Sequence, residues 1–129
     1  MLTPRTFRDD IIHKELSYSL NGVLYKVHDE LGRYAHERQY CDLIERYLKE
    51  KGISHEREKH ISLAGIDRNR ADFIIDSKII LEVKTTDFLT REHYYQVRRY
   101  LEGAKMKLGI LVNFRQRYLT PKRILNPMV

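Results

Sequence analysis

Charged residues set inside an apolar hairpin restrict the fold of this sequence more than any other feature. Residues 70–86 read RADFIIDSKIILEVKTT, in which Ala71 to Asp76 and Lys78 to Lys84 are rich in Ile, Val, Leu and Phe and are parted by Asp76-Ser77-Lys78. Two such runs joined by so short a turn predict adjacent antiparallel strands. Successive side chains of a strand point to opposite faces, so Glu82 and Lys84 share one face and Leu81 and Val83 the other. A hairpin this apolar belongs near the middle of a small domain, where charges persist only when paired or bound to a metal. Asp72, Glu82 and Lys84 are therefore candidates for a functional site. The alternative is an edge hairpin that carries a solvated Glu-Lys pair.

The flanking sequence predicts the layers around this hairpin. Between Ile12 and Leu31, Leu16, Leu20, Val23, Leu24, Val27 and Leu31 recur at spacings of three and four, the mark of an amphipathic helix, and Gly32 is placed to end it. A second helix is expected from Ala35 to Lys51, with Tyr40, Ile44, Tyr47 and Leu48 toward the core and Gly52 as its stop. Ile53 to Leu63 alternates as an edge strand with one wet face, and Ala64 to Asn69 is a turn. Thr90 caps a third helix through Ala104 whose core stripe is Tyr94, Val97, Leu101 and Ala104. Lys107 to Phe114 is an apolar run that predicts a strand buried on both faces, and Lys122 to Leu125 a short closing strand. The expected order is ααβββαββ, an α/β fold with a mixed central sheet flanked by helices and a helical crossover between its third and fourth strands.

At 129 residues the chain is expected to form a single domain, with residues 1–10 as a loosely held arm. One cysteine, Cys41, excludes an internal disulfide framework and a Cys-rich zinc site. The longest uncharged stretch, Leu16 to Tyr25, is ten residues, well short of the ~20 apolar residues of a membrane span. With no signal-like start, a soluble cytoplasmic protein is expected. Of the net charge of +6, the last quarter holds more than its share: residues 97–129 carry eight basic side chains against one acid, Glu102. Arg98, Arg99, Lys105, Arg115, Arg117 and Lys122 are thus candidates for contacts to a phosphate backbone, or else decorate a solvated face. Gly-rich phosphate loops and Ser-His-Asp arrangements are absent.

Asp72 followed by Glu82-x-Lys84 resembles the signature of the PD-(D/E)XK nuclease superfamily, with Ala71 in place of its proline. The resemblance extends from about Ile12 to Ile124 and is closest to the GxxExxY proteins, a RecB-like branch. Their motif stands here as Tyr34-Ala35-His36-Glu37-Arg38-Gln39-Tyr40, with Tyr34 where the motif has glycine. Further matching segments are Arg70-Ala71-Asp72, Glu82-Val83-Lys84, the Gln96 and Tyr100 pair four residues apart on the third helix, and Gly109 to Phe114. Arg115 stands where the family usually continues with glycine.

The resemblance implies a restriction-endonuclease-like core and a metal-dependent nuclease acting on nucleic acid, with DNA the expected partner. It implies Mg²⁺ or Mn²⁺ held by Asp72, Glu82, the Val83 carbonyl and Glu37, hard oxygen donors suited to such ions. Lys84 would orient the nucleophile or offset transition-state charge, and Gln96 and Tyr100 would support the site. Read locally, Glu37 is also an ordinary first-turn glutamate favoured by the helix dipole. A catalytically inactive nucleic-acid-binding or assembly module on the same scaffold is the alternative function.

Overall fold

Each helix forms where the apolar spacing places it, and each ends where the backbone must turn. The computed structural model describes residues 12–60 and 70–129. The arm at residues 1–10, the end of the expected edge strand at 61–63 and the turn at 64–69 lie outside the described residues. Helix α1, Lys14–Leu31, buries Leu20, Val23, Leu24 and Val27 on one face. Gly32 takes φ +71°, a left-handed value that glycine adopts without a Cβ clash, and its N–H bonds to His28 O at 2.8 Å. Helix α2, Glu37–Glu50, buries Tyr40, Cys41, Ile44, Tyr47 and Leu48.

The turn between the two helices is fixed by Tyr40. Its hydroxyl donates to Gly32 O at 2.5 Å and accepts the Ala35 N–H at 3.2 Å. Its ring stacks on Phe114 with 4.2 Å between centroids. One side chain thus ties the start of α2 to the end of the sheet, and with it the position of Glu37.

The sheet has five strands in sequence order: β1, His55–His60; β2, Arg70–Ile75; β3, Ile79–Lys84; β4, Leu108–Asn113; and β5, Lys122–Leu125. Strands β1, β2 and β3 form an antiparallel meander, β3 and β4 run parallel, and β5 returns antiparallel to β4. A parallel pair needs a crossover, supplied by helix α3, Arg91–Ala104. The order is the expected ααβββαββ, a mixed sheet flanked by helices. Helices α1 and α2 pack with Phe73, Ile75, Leu81, Val83, Ile110 and Val112 on one face of the sheet. On the other face α3 packs with Ile74, Ile80 and Leu111. That two-sided cover explains the unbroken apolar composition of β3 and β4, and it makes the hairpin central.

Gly109 shows how closely α3 approaches: a Cβ there would lie 2.5 Å from Val97 Cγ1. Among the described residues, no helix is long and apolar enough to cross a membrane.

Candidate active site

The β2–β3 ladder opens at its far end, and two carboxylates fill the opening. Cα pairing runs through Phe73 and Leu81 and stops there, one position short of Asp72 and Glu82. Beyond it, the Asp72 N–H donates to Glu82 Oε1 at 2.8 Å, and the Val83 N–H donates to Asp72 Oδ2 at 2.7 Å. Each acid therefore satisfies a main-chain donor that the parting strands would otherwise strand, which is how two acids persist in this apolar setting. Because each spends one oxygen on the backbone, both side chains are held in fixed orientations and each keeps its other oxygen for a further partner.

Strand β1 is distorted at the same level. Glu58, which the register sets opposite Asp72, has φ +54°, a left-handed value that a non-glycine residue seldom adopts. Ala71 and Ile74 both pack on the α3 side, so the regular alternation of β2 is broken between them. At this level Asp72 lines a cleft of about 410 Å³ together with Glu37, Arg38, Cys41, Arg57, Glu58 and Arg70.

Lys84 sits at the end of β3. Its Nζ donates to Gln96 Oε1 on α3 at 3.0 Å and lies 3.8 Å from Glu82 Oε2. Gln96 thereby holds the ammonium beside the acids. One helical turn on, Tyr100 is 3% exposed and packs in the same apolar cluster as Ala71, the residue before Asp72. Its phenol is pushed up to about 12, first by burial and then by the charges of Glu82 and Asp72.

Burial also raises both carboxyls above their ordinary range. For Glu82, which is 2% exposed, the next cause is the charge of Asp72. For Asp72 the Val83 N–H pulls the other way, and Glu37, Lys84 and Glu58 act more weakly. A pair of acids that resists ionisation in the protein alone is one that a cation would stabilise.

Asp72, Glu82, Lys84, Gln96 and Tyr100 thus converge at one end of the sheet. Glu37, the first residue of α2, is exposed on the rim of the same cleft. Among the described residues no group of three or more His, Cys, Asp or Glu side chains is close enough to hold a metal ion, and Glu37 meets the acid pair as a charge across the cleft that it lines with Asp72. The pair nevertheless fits a hard cation of the Mg²⁺ kind, which takes one or two carboxylates and keeps several waters. The donors would be the uncommitted oxygens of Asp72 and Glu82 with the Val83 carbonyl.

The six basic candidates separate. Arg115 and Arg117 lie on the loop after β4, whereas Lys105 ends α3 and precedes the opposite end of that strand. Arg98 and Arg99 are on α3, and Lys122 begins β5. Among the described residues the Arg98 Nε, which is buried, has no hydrogen-bond partner.

Asn113, part of the matching segment Gly109 to Phe114, has a role at the site end that the sequence alone did not assign. Asn113, 1% exposed, accepts the N–H groups of Thr86 and Arg115, both at 3.1 Å, and donates to Thr86 O at 2.8 Å. The signal was a lone amide within an otherwise apolar run, where a buried polar group needs partners.

Comparison with known proteins agrees with this architecture. No curated protein matches the chain. Among solved structures, the crystal structure of SSO0001 is similar in fold, with a TM-score of 0.51 and 24% sequence identity over 81% of this chain. The match spans 62% of that protein's chain. The sequence profile of the PD-(D/E)XK nuclease superfamily matches residues 14–124, from the start of α1 to the middle of β5 and across every element of the candidate site. The chain belongs to the PD-(D/E)XK nuclease superfamily.

Proposed function

We propose that this chain is a metal-dependent nuclease of the GxxExxY branch that hydrolyses phosphodiester bonds in nucleic acid, DNA in the first instance. The observation that carries the proposal is the clasp at the open end of the hairpin, with Lys84 set beside it by Gln96. A buried and a half-buried acid with an ammonium beside them, Asp72 lining a polar cleft, suit phosphoryl chemistry, in which placement and charge supply most of the rate.

Asp72, Glu82 and the Val83 carbonyl would hold Mg²⁺ or Mn²⁺, and Glu37 would reach the ion's water shell from the cleft rim. When bound, such an ion supplies a water of lowered pKa and positive charge against the phosphate oxygens. Lys84, a donor only, orients the attacking water and offsets the charge that develops on phosphorus-bound oxygen. Gln96 keeps Lys84 from collapsing onto Glu82. Tyr100, un-ionised at neutral pH, packs with Ala71 and so supports the start of β2 next to Asp72. Arg115 and Arg117, on the loop after β4, are placed to meet the backbone of a bound strand.

The direct test offers single-stranded, duplex and branched DNA, and RNA, to purified protein with Mg²⁺ or Mn²⁺. Cleavage that disappears with chelator and in Asp72→Asn is expected. Activity unaffected by either change would remove the proposal.

One observation favours a second function. Among the described residues the acids form no group of three close enough to hold a metal, which suits a scaffold that binds nucleic acid without cutting it. Salt-sensitive binding with no cleavage of any substrate in that panel would establish it.

A further inference from the structure

The segments that follow α1, β3 and β4 are tied together beside the candidate active site. Asn113 bridges the β3 and β4 exits through its bonds to Thr86 and Arg115. The Arg33 Nε donates to Arg115 O at 2.9 Å and the Arg115 Nε donates to Arg33 O at 3.0 Å, a reciprocal pair that joins the end of α1 to the same rim. The rim adjoins Lys84, whose carbonyl accepts the Phe114 N–H at 2.9 Å.

Three large aromatic side chains project from these segments into solvent. Tyr34, Phe88 and Tyr118 are 72%, 79% and 76% exposed. Arginines stand among them: the Cζ atoms of Arg33 and Arg115 lie 5.1 and 5.5 Å from the Tyr34 ring centre, and that of Arg117 lies 5.4 Å from the Tyr118 centre. Single exposed aromatics are ordinary, but three on adjoining hydrogen-bonded segments amount to apolar area suited to a partner. The interleaved guanidiniums select that partner by charge, since they attract phosphate. Flat rings alternating with cations match a polymer of flat bases and phosphates. In a duplex the base faces are stacked on one another and closed to a protein ring. In an unpaired strand they are open.

We infer that this rim binds single-stranded nucleic acid, stacking unpaired bases on Tyr34 with Phe88 and Tyr118 as further platforms, and leads the strand toward Asp72, Glu82 and Lys84. The inference deepens the nuclease proposal, and rests on it for what becomes of the strand. Tyr34 then has a use at the position where the GxxExxY motif carries glycine: a ring at the cleft's approach in place of bare backbone. The locked Arg33 and Arg115 pair presents its cations without further ordering, which lowers the entropic cost of binding.

The test is fluorescence anisotropy in EDTA, with a labelled single-stranded oligonucleotide and the blunt duplex of the same sequence. Wild type should bind the single strand more tightly than the duplex at equal salt. Tyr34→Ala should weaken single-strand binding by about 5- to 100-fold and duplex binding by less than about 2-fold. Tyr34→Phe, which keeps the ring, should stay within about 2-fold of wild type. Unchanged melting temperatures establish that the variants are folded, and Phe88→Ala supplies the same comparison should Tyr34→Ala fail to fold. Duplex bound as tightly as single strand, loss of a ring without effect, or equal loss in Tyr34→Ala and Tyr34→Phe overturns the inference. Because no metal is present, cleavage is not what the assay reads. A protein that prefers single strands through Tyr34 yet cuts nothing retains this inference and loses the nuclease function, whereas one that cuts duplex with Tyr34 irrelevant does the reverse.

Discussion

Replacing Glu82 by Gln should stabilise the metal-free domain at neutral pH, although it alters the centre of the site. The amide keeps an oxygen to accept the Asp72 N–H, now held at 2.8 Å by Glu82 Oε1. What is lost is a charge in a residue 2% exposed, next to a second, half-buried acid. Lys84 at 3.8 Å recovers part of the cost of that charge, but the Glu82 carboxyl still lies above its ordinary range, so the net balance disfavours ionisation. Removing it should contribute about 1–3 kcal/mol. With an unfolding entropy of about 2.1 cal/mol/K per residue over 129 residues, that raises Tm by roughly 4–11 °C. A carboxyl raised by folding binds its proton more tightly in the native state. Its stability contribution is therefore complete below the unfolded pKa of about 4.3 and is lost as pH rises through the native value. The two proteins should accordingly melt together near about pH 4 and separate between about pH 5 and pH 8, and Mg²⁺ or Mn²⁺ should close the gap by stabilising wild type alone. Melting curves across that range, with and without metal, provide the assay. A Glu82→Gln variant at or below wild type throughout would refute the reasoning, because it would mean that the native carboxylate is already well paired.

Asn113→Ala removes the acceptor of two main-chain donors at the site end and should cost about 2–3 kcal/mol in urea unfolding, with faster hydrogen exchange at Thr86 and Arg115. Gly109→Ala sets a methyl 2.5 Å from Val97 Cγ1 and should cost about 1–3 kcal/mol, partly recovered by adding Val97→Ala. Arg117→Glu should reduce the slope of log affinity against log salt by roughly one unit, with little change in melting temperature. Gln96→Ala frees Lys84 from its 3.0 Å anchor and should lower kcat more than it alters KM.

The layers were legible because apolar periodicity fixes which face of a helix or strand is buried, and hydrophobic burial dominates packing. The hairpin, its turn at Asp76-Ser77-Lys78 and the crossover helix follow from that alone. The opening of the ladder was not legible: whether Asp72 and Glu82 face solvent or replace strand hydrogen bonds depends on where β2 and β3 part, a tertiary property with no local signal. Nor was the distortion at Glu58, since glutamate carries no preference for a left-handed φ of +54°. Glu37 was found through its motif, but its reach toward the acids depends on the Tyr40 tether, which joins residues distant in sequence. The basic residues were legible as charge and not as a surface, because Lys105 and Arg115 belong to opposite ends of one strand.

The central claim, that one end of this sheet is built to hydrolyse phosphodiesters and not only to bind them, rests on Lys84. An ammonium cannot be a metal ligand, so Lys84→Ala should bind Mg²⁺ or Mn²⁺ at least as tightly as wild type by calorimetry, having lost a neighbouring positive charge. Cleavage under saturating metal should fall by about 100-fold or more. Cleavage that persists in Lys84→Ala at the wild-type rate, with metal binding intact, would contradict the account.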